Sequence, residues 1–377
     1  MHRRGEVDHR HDPADGRRLD RRVTGRRQRR VPQVKGLAGP KAEKSVNLAL
    51  QGGGAHGAFT WGVLDAILAD GRIALEAMTG ASAGAMNAVV LAEGWLDGGA
   101  DGARTALENF WRRISVDGKY GGSERSLLDT MLGAWSNGHP PGLIWFEMFS
   151  KMASPYDVNP LNINPLRGVI ADLIDFDKVR GCADVNLFIA ATNVRTGKIR
   201  VFTRQELTAD HLMASACLPM LFQAVEIDGQ AYWDGGYMGN PALYPLFYEA
   251  QGDDILLVQI NPLERKELPT NARAIQDRLN EITFNASLLR ELRAIAFVNR
   301  LIDAGKLSTA DYKRVLMHRI DGGAPLAQLT SSSRLRAEWD FLLRLRDMGR
   351  NAAKRWLKRN YDAIGKQGTV DLKDAID

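Results

Sequence analysis

The strongest constraint on this chain is a unit that occurs twice in close succession: a short apolar run, a glycine-rich turn, and an amphipathic stretch. Val46-Asn47-Leu48-Ala49-Leu50 is followed by Gly52-Gly53-Gly54-Ala55-His56-Gly57 and then by a helical pattern to Ala69. Ala77-Met78-Thr79 is followed by Gly80-Ala81-Ser82-Ala83-Gly84 and a helical pattern to Glu93. Strand, tight turn and helix in that order, repeated at once, is how a parallel sheet with crossover helices is written, so the fold class is α/β. Asn186 to Thr192 and Lys198 to Thr203, about an Arg195-Thr196-Gly197 turn, read as a hairpin, and Asp254 to Ile260 as a further buried strand. The segment from Thr105 to Ser154 reads as helical and aromatic, with Trp145-Phe146-Glu147-Met148-Phe149 suited to an acyl pocket, a lid or core packing. Beyond Leu268 the pattern is helical nearly to the end.

Charge placement excludes one class of function. The chain of 377 residues carries a formal +5, but residues 1–44 contribute +8, residues 45–260 contribute −10 and residues 261–377 contribute +7. An acidic middle offers no phosphate-neutralising stripe, which argues against nucleic acid as a partner. Residues 1–44 hold eleven arginines and no aromatic residue. That composition predicts a basic disordered tail, or else a stretch translated upstream of a true start near Val34 or Leu37. Two cysteines, Cys182 and Cys217, make neither a disulfide framework nor a zinc site. No apolar run is long enough to span a bilayer, so a cytoplasmic location is expected.

Chemistry concentrates in the two glycine turns. Gly80-Ala81-Ser82-Ala83-Gly84 fits G-x-S-x-G, in which small neighbours allow a strained strand-to-helix turn that presents the serine hydroxyl; the competing role is a helix cap. Gly52 to Gly57 offers consecutive unobstructed N–H groups for an oxyanion. The same residues also fit the G-x-G-x-x-G dinucleotide fingerprint, although Glu76 is misplaced for the ribose and the second strand ends in the Gly80–Gly84 turn. A serine needs a base. Outside the tail the histidines are His56, His139, His211 and His318, and only His318 preserves a Ser82-Asp-His318 chain order. The other candidate is Asp234, in Tyr232-Trp233-Asp234-Gly235-Gly236, whose aromatic neighbours would strengthen a carboxylate base.

Taken in order, Gly52-Gly53-Gly54-Ala55-His56-Gly57, Gly80-Ala81-Ser82-Ala83-Gly84 and Asp234-Gly235-Gly236 resemble the patatin-like phospholipase family. Asn240-Pro241 and Ala214-Ser215-Ala216-Cys217-Leu218-Pro219 add to the likeness, which covers about residues 46–250. The resemblance implies a three-layer α/β/α sandwich with a central mainly parallel sheet. It also implies Ser82 as nucleophile, Asp234 as its base, amides around Gly53, Gly54 and Ala55 as oxyanion hole, and lipid acyl hydrolysis with no metal or organic cofactor. His56 departs from the Arg or Lys common in the family, which puts a titrating or neutral imidazole at the oxyanion turn. The expected organisation is then a tail over 1–44, a catalytic domain over 45–262 and a helical extension over 263–377. In that extension Leu335, Trp339, Leu342, Leu345, Ala352 and Trp356 form one stripe among arginines and lysines, suited either to an anionic membrane surface or to packing on the core. The rival readings are a Ser82-Asp-His318 esterase, a nucleotide-binding oxidoreductase built on Gly52–Gly57, and a non-catalytic lipid-binding protein.

Overall fold

The computed structural model describes residues 34–115, 154–329 and 331–372. His139, Trp135 and the aromatic run at 145–149 lie outside the described residues. Eight strands form one sheet in the order β5-β6-β3-β2-β1-β7-β8, with β4 paired to the other edge of β3. They are β1 (Lys44–Leu50), β2 (Ile73–Gly80), β3 (Asn186–Asn193), β4 (Ile199–Thr203), β5 (Val225–Ile227), β6 (Gln230–Asp234), β7 (Asp254–Gln259) and β8 (Leu316–Asp321). β1, β2, β3, β7 and β8 are parallel, whereas β4 and β6 run antiparallel to β3.

Alternation along the central strands shows why the sheet is covered on both faces. Leu48, Leu50, Leu256 and Val258 join one apolar cluster, while Ala49, Ile255 and Leu257 join another on the opposite face. Successive side chains of a strand point to opposite faces, so each central strand feeds two cores. The principal helices are α1 (Gly57–Asp70), α2 (Ala83–Ile114), α3 (Ala209–Ser215), α4 (Ala272–Asp303) and α5 (Trp339–Asn360). α1, α2 and α5 supply the first cluster, and Leu288, Leu292 and Ile295 of α4 supply the second. The result is the expected three-layer α/β/α arrangement. α2 is interrupted at Gly98-Gly99, where the backbone leaves helical geometry and Gly99 has φ 59°.

Three expectations are corrected. Residues 34–44 are ordered, since Leu37 is buried and exchanges backbone hydrogen bonds with Leu75. Glu76 lies inside β2, not before it, and its buried carboxylate accepts the amides of Gln251 and Gly252 at 2.6 and 2.9 Å. The segment after Leu268 is not helical throughout, because Leu316-Met317-His318-Arg319-Ile320-Asp321 forms β8 in register with β7. Leu316, Met317, His318 and Ile320 are all buried there.

The stripe on α5 packs inward. Leu342, Leu345, Ala352 and Trp356 are buried, and Arg344, Lys354, Arg355, Lys358 and Arg359 are exposed. A Cβ on Gly62 of α1 would collide with the Arg346 carbonyl, and one on Gly349 of α5 with the Phe59 carbonyl, so two helix backbones meet through reciprocal glycines. Asp65 joins the same interface, accepting Arg350 at 2.6 Å and Arg104 at 3.0 Å. Burial raises its carboxyl, but these two guanidinium hydrogen bonds outweigh that and hold it below the usual range. Overpacking such a contact forces the helices apart. Gly349→Val is therefore expected to lower stability by about 2–4 kcal/mol in urea unfolding, against about 0.5 kcal/mol or less for Lys354→Ala on the exposed face. Equal midpoints for the two variants would refute the close contact.

Candidate active site

The register of β3 brings the two key residues together. β2 ends at Gly80 opposite Ile189, and β6, arriving from the other direction along the same edge of β3, ends at Asp234 opposite Ala191. The two strands thus terminate nose to nose, and the residues just past their ends face each other. Ser82 follows β2 with φ 52° and ψ −124°, a left-handed conformation unusual for a side-chain-bearing residue. Close packing holds it there: a Cβ on Gly84 would strike the Leu50 carbonyl, and one on Gly80 would lie 2.6 Å from the Gly84 backbone. The Ser82 amide donates to Ser215 Oγ of α3 at 2.9 Å. Asn87, one helical turn further on, donates to the Gly57 and Ala83 carbonyls at 3.0 Å each, tying α2 to the glycine turn.

Asp234 is buried, and its Oδ1 accepts the Gly236 amide at 2.7 Å. Its backbone is held by the Cys217 carbonyl at 2.8 Å and the Thr192 hydroxyl at 2.8 Å. Burial pushes its carboxyl up to about 7, against the lowering effect of hydrogen bonds from the Gly236 amide and the Ser82 hydroxyl. The Ser82 side chain thus lies close enough to the Asp234 carboxyl to act on its protonation, and burial leaves that carboxyl poised near neutrality.

The glycine turn is held by a buried amide network that the sequence pattern did not single out. Gln51, at the end of β1, accepts the Ile260 and Asn261 amides through Oε1 at 2.9 Å each, and donates through Nε2 to the Asn240 carbonyl and Asn285 Oδ1 at 3.2 Å each. Asn240 Oδ1 accepts the Gly52 amide at 2.7 Å, and Asn261 Nδ2 donates to the Gly52 carbonyl at 2.9 Å. Of the turn's amides, Gly52 is thus committed to Asn240, and His56 to the Gly53 carbonyl at 3.3 Å. Among the described residues the amides of Gly53, Gly54 and Ala55 meet no protein acceptor. Only a pattern of isolated buried polar residues at strand ends, Gln51 and Asn261, could have signalled this network.

His56 carries no charge to the turn. Burial, with the Arg334 and Arg265 cations, holds its imidazole down at about 3. Its Nε2 is 2.7 Å from Ser333 Oγ. The chain at 333–334 closes over the turn, and a Cβ on Gly54, which has φ 58°, would strike the Arg334 carbonyl. His56 is a neutral anchor for this C-terminal segment, the second of the two states expected of its imidazole.

The other candidates lie apart. His318 is buried with Nε2 2.8 Å from Asp254 Oδ1 and Nδ1 3.1 Å from Thr369 Oγ1. Asp254 opens β7, whereas Ser82 follows the C-terminal end of β2, so this pair sits toward the opposite edge of a parallel sheet. His211 Nδ1 caps its own helix by bonding Thr208 Oγ1 at 2.8 Å. Cys217 is buried and its thiol is pushed up to about 12 by burial and by Asp234, which makes it unreactive. Among the described residues no group of three His, Cys, Asp or Glu is placed to hold a metal, and no helix is long and apolar enough to cross a membrane.

No curated protein matches the chain. Among solved structures, VipD from Legionella pneumophila is similar over 82% of this chain and 67% of its own, at 16% identity and a TM-score of 0.32. Residues 48–247, from the core of β1 past the Asp234 turn, match the patatin-like phospholipase family. The span holds both glycine turns and Asp234, and the chain belongs to the patatin-like phospholipase family, hydrolases acting on lipid esters.

Proposed function

We propose that the protein cleaves carboxylic esters of lipids through a Ser82–Asp234 dyad, by way of an acyl-enzyme. The observation that carries this reading is that β2 and β6 end against one another on β3, so that Ser82 lies beside a buried carboxyl standing near 7 and a turn with uncommitted amides. Ser82 Oγ attacks the ester carbonyl as Asp234 takes its proton. The carbonyl oxygen becomes an oxyanion, received by the Gly53, Gly54 and Ala55 amides and by the positive end of α2. Collapse breaks the ester C–O bond, and Asp234 returns the proton to the departing alcohol or lysolipid. Water then attacks the acyl-enzyme while Asp234 accepts its proton, and collapse frees the fatty acid and restores Ser82.

The rival readings find no supporting observation. His318 is bonded to Asp254 and Thr369 instead of Ser82. In the Gly52–Gly57 turn, where a pyrophosphate would have to lie, the Arg334 carbonyl packs against Gly54.

With p-nitrophenyl butyrate as substrate, Ser82→Ala and Asp234→Ala should each lower kcat by about 1,000-fold or more, and His318→Asn should keep it within about three-fold while lowering Tm. Full activity in Ser82→Ala would sink the proposal.

Two pH effects follow from the raised Asp234 carboxyl. The dyad accepts a proton only with Asp234 ionised, so kcat/KM should rise with pH through about 7 and flatten above it. An acid limb centred near 4 would contradict the buried base.

For stability the sign is opposite. The folded carboxyl keeps its proton up to about 7 and the unfolded one releases it from 3.8, so this group's contribution falls as pH rises between those values. Asp234→Asn should be inactive yet raise Tm above wild type at about pH 8, with the gain vanishing near about pH 4. Tm curves that stay parallel across that range would show that Asp234 carries no such burden.

A further inference from the structure

α4 begins with its charges turned the wrong way for a helix that faces water. It runs from Asn285, which meets Gln51 and the Pro262 carbonyl at the ends of the central strands, to Asn299, which bonds Val315 at the start of β8. It is therefore antiparallel to the strands. Its first three turns, before Asn285, stand on the side of the sheet where Ser82 and Asp234 lie. At a rise of about 1.5 Å per residue these turns extend about 20 Å.

Among the described side chains of this stretch, Glu281 is 2% exposed and takes both Arg265 Nε at 3.1 Å and Arg278 NH1 at 3.2 Å. Among the described side chains the exposed positions from Asn271 to Thr283 are Asn271, Ala272, Ile275, Gln276, Leu279, Asn280, Ile282 and Thr283, all uncharged. Ile275, Leu279 and Ile282 are spaced to share one face and are 44%, 52% and 52% exposed. Large aliphatic side chains outward with paired charges inward is the reverse of ordinary helix patterning. The apolar rim continues around the dyad. Leu268 follows β7 at 84% exposure, Met238 follows the Asp234 turn at 38%, and Met220 lies in the loop between α3 and β5 at 63%.

We infer that the outer face of α4, through Ile275, Leu279 and Ile282, inserts into the surface of a lipid bilayer and sets the Ser82 site against it. Among the described residues the exposed arc carries no charge, which argues for a lipid interface over a protein selected by charge complementarity, and the arc adjoins the end of the sheet where an ester would react. This rests on the lipid-ester reading above. It also shifts membrane contact away from α5, whose apolar stripe is already covered by α1.

The test compares the full chain with its Ile275→Gln, Leu279→Gln, Ile282→Gln triple variant. Partition onto phosphatidylcholine vesicles is measured by co-sedimentation, and hydrolysis is measured on the same vesicles and on monomeric p-nitrophenyl butyrate. The expected result is a loss of about ten-fold or more in vesicle binding and vesicle hydrolysis, with the monomeric ester turned over within about two-fold. Unchanged vesicle binding would overturn the inference. So would an equal loss on the monomeric ester, which would make the helix part of the site, or conversion of a dimer to a monomer on gel filtration, which would make a second copy the occupant. Absence of ester hydrolysis by the wild type would overturn the dyad instead, because vesicle partition reads the helix face without turnover.

Discussion

The catalytic end of this molecule hangs on a single buried amide side chain. Gln51 joins the end of β1 to the end of β7, to the Asn240 loop and to α4, using both its oxygen and its nitrogen. Four segments around the glycine turn are therefore tied to one group in a place where water cannot substitute for a lost bond. Buried polar networks of this kind are rigid when complete and costly when broken, which suits a turn that must hold its free amides in place before a substrate arrives. The neighbouring Ser82 makes the same demand. Its left-handed backbone is tolerable only because Gly80, Gly84 and the Ser215 hydroxyl leave no relaxed alternative.

Electrostatics at the site follow from burial more than from partners. Asp234 has no cation to lower it, and desolvation dominates, so the carboxylate gains basicity at the expense of folding stability. His56 responds to the same burial in the opposite sense, because the form that water favours is neutral for neither group, and removing water makes the carboxyl keep its proton and the imidazole lose one. The two titratable groups closest to the chemistry thus behave differently for one physical reason.

Much of this was legible in the sequence because the chemistry and the topology share residues. The strand–turn–helix repeats fix β1, α1, β2 and the start of α2, and in both turns there are glycines, Gly52, Gly54, Gly80 and Gly84, whose Cβ atoms would collide with backbone. The pairing of Ser82 with Asp234 was legible only as a likeness to a family, since nothing local says that β2 and β6 end against one another on β3. β8 was hidden because six residues, half of them polar or charged, between two long helical segments do not declare a period, and its histidine drew attention as chemistry when it belongs to a structural pair with Asp254. Gln51, Asn261 and Asn285 were hidden for a plainer reason. A single buried amide leaves no pattern, and its partners come from segments more than 180 residues away.

The closure of the glycine turn by residues 333 and 334 has a consequence for what counts as a unit. The family match ends at residue 247, yet Asn261, Ser333 and Arg334 touch the turn that the match contains, and Asn285 holds Gln51 just before it. The sequence that is shared with relatives and the body that folds are different objects here. Substitutions at Ser333 or Arg334, beyond the matched span, therefore act on the glycine turn without altering any residue of the motifs by which the family is recognised.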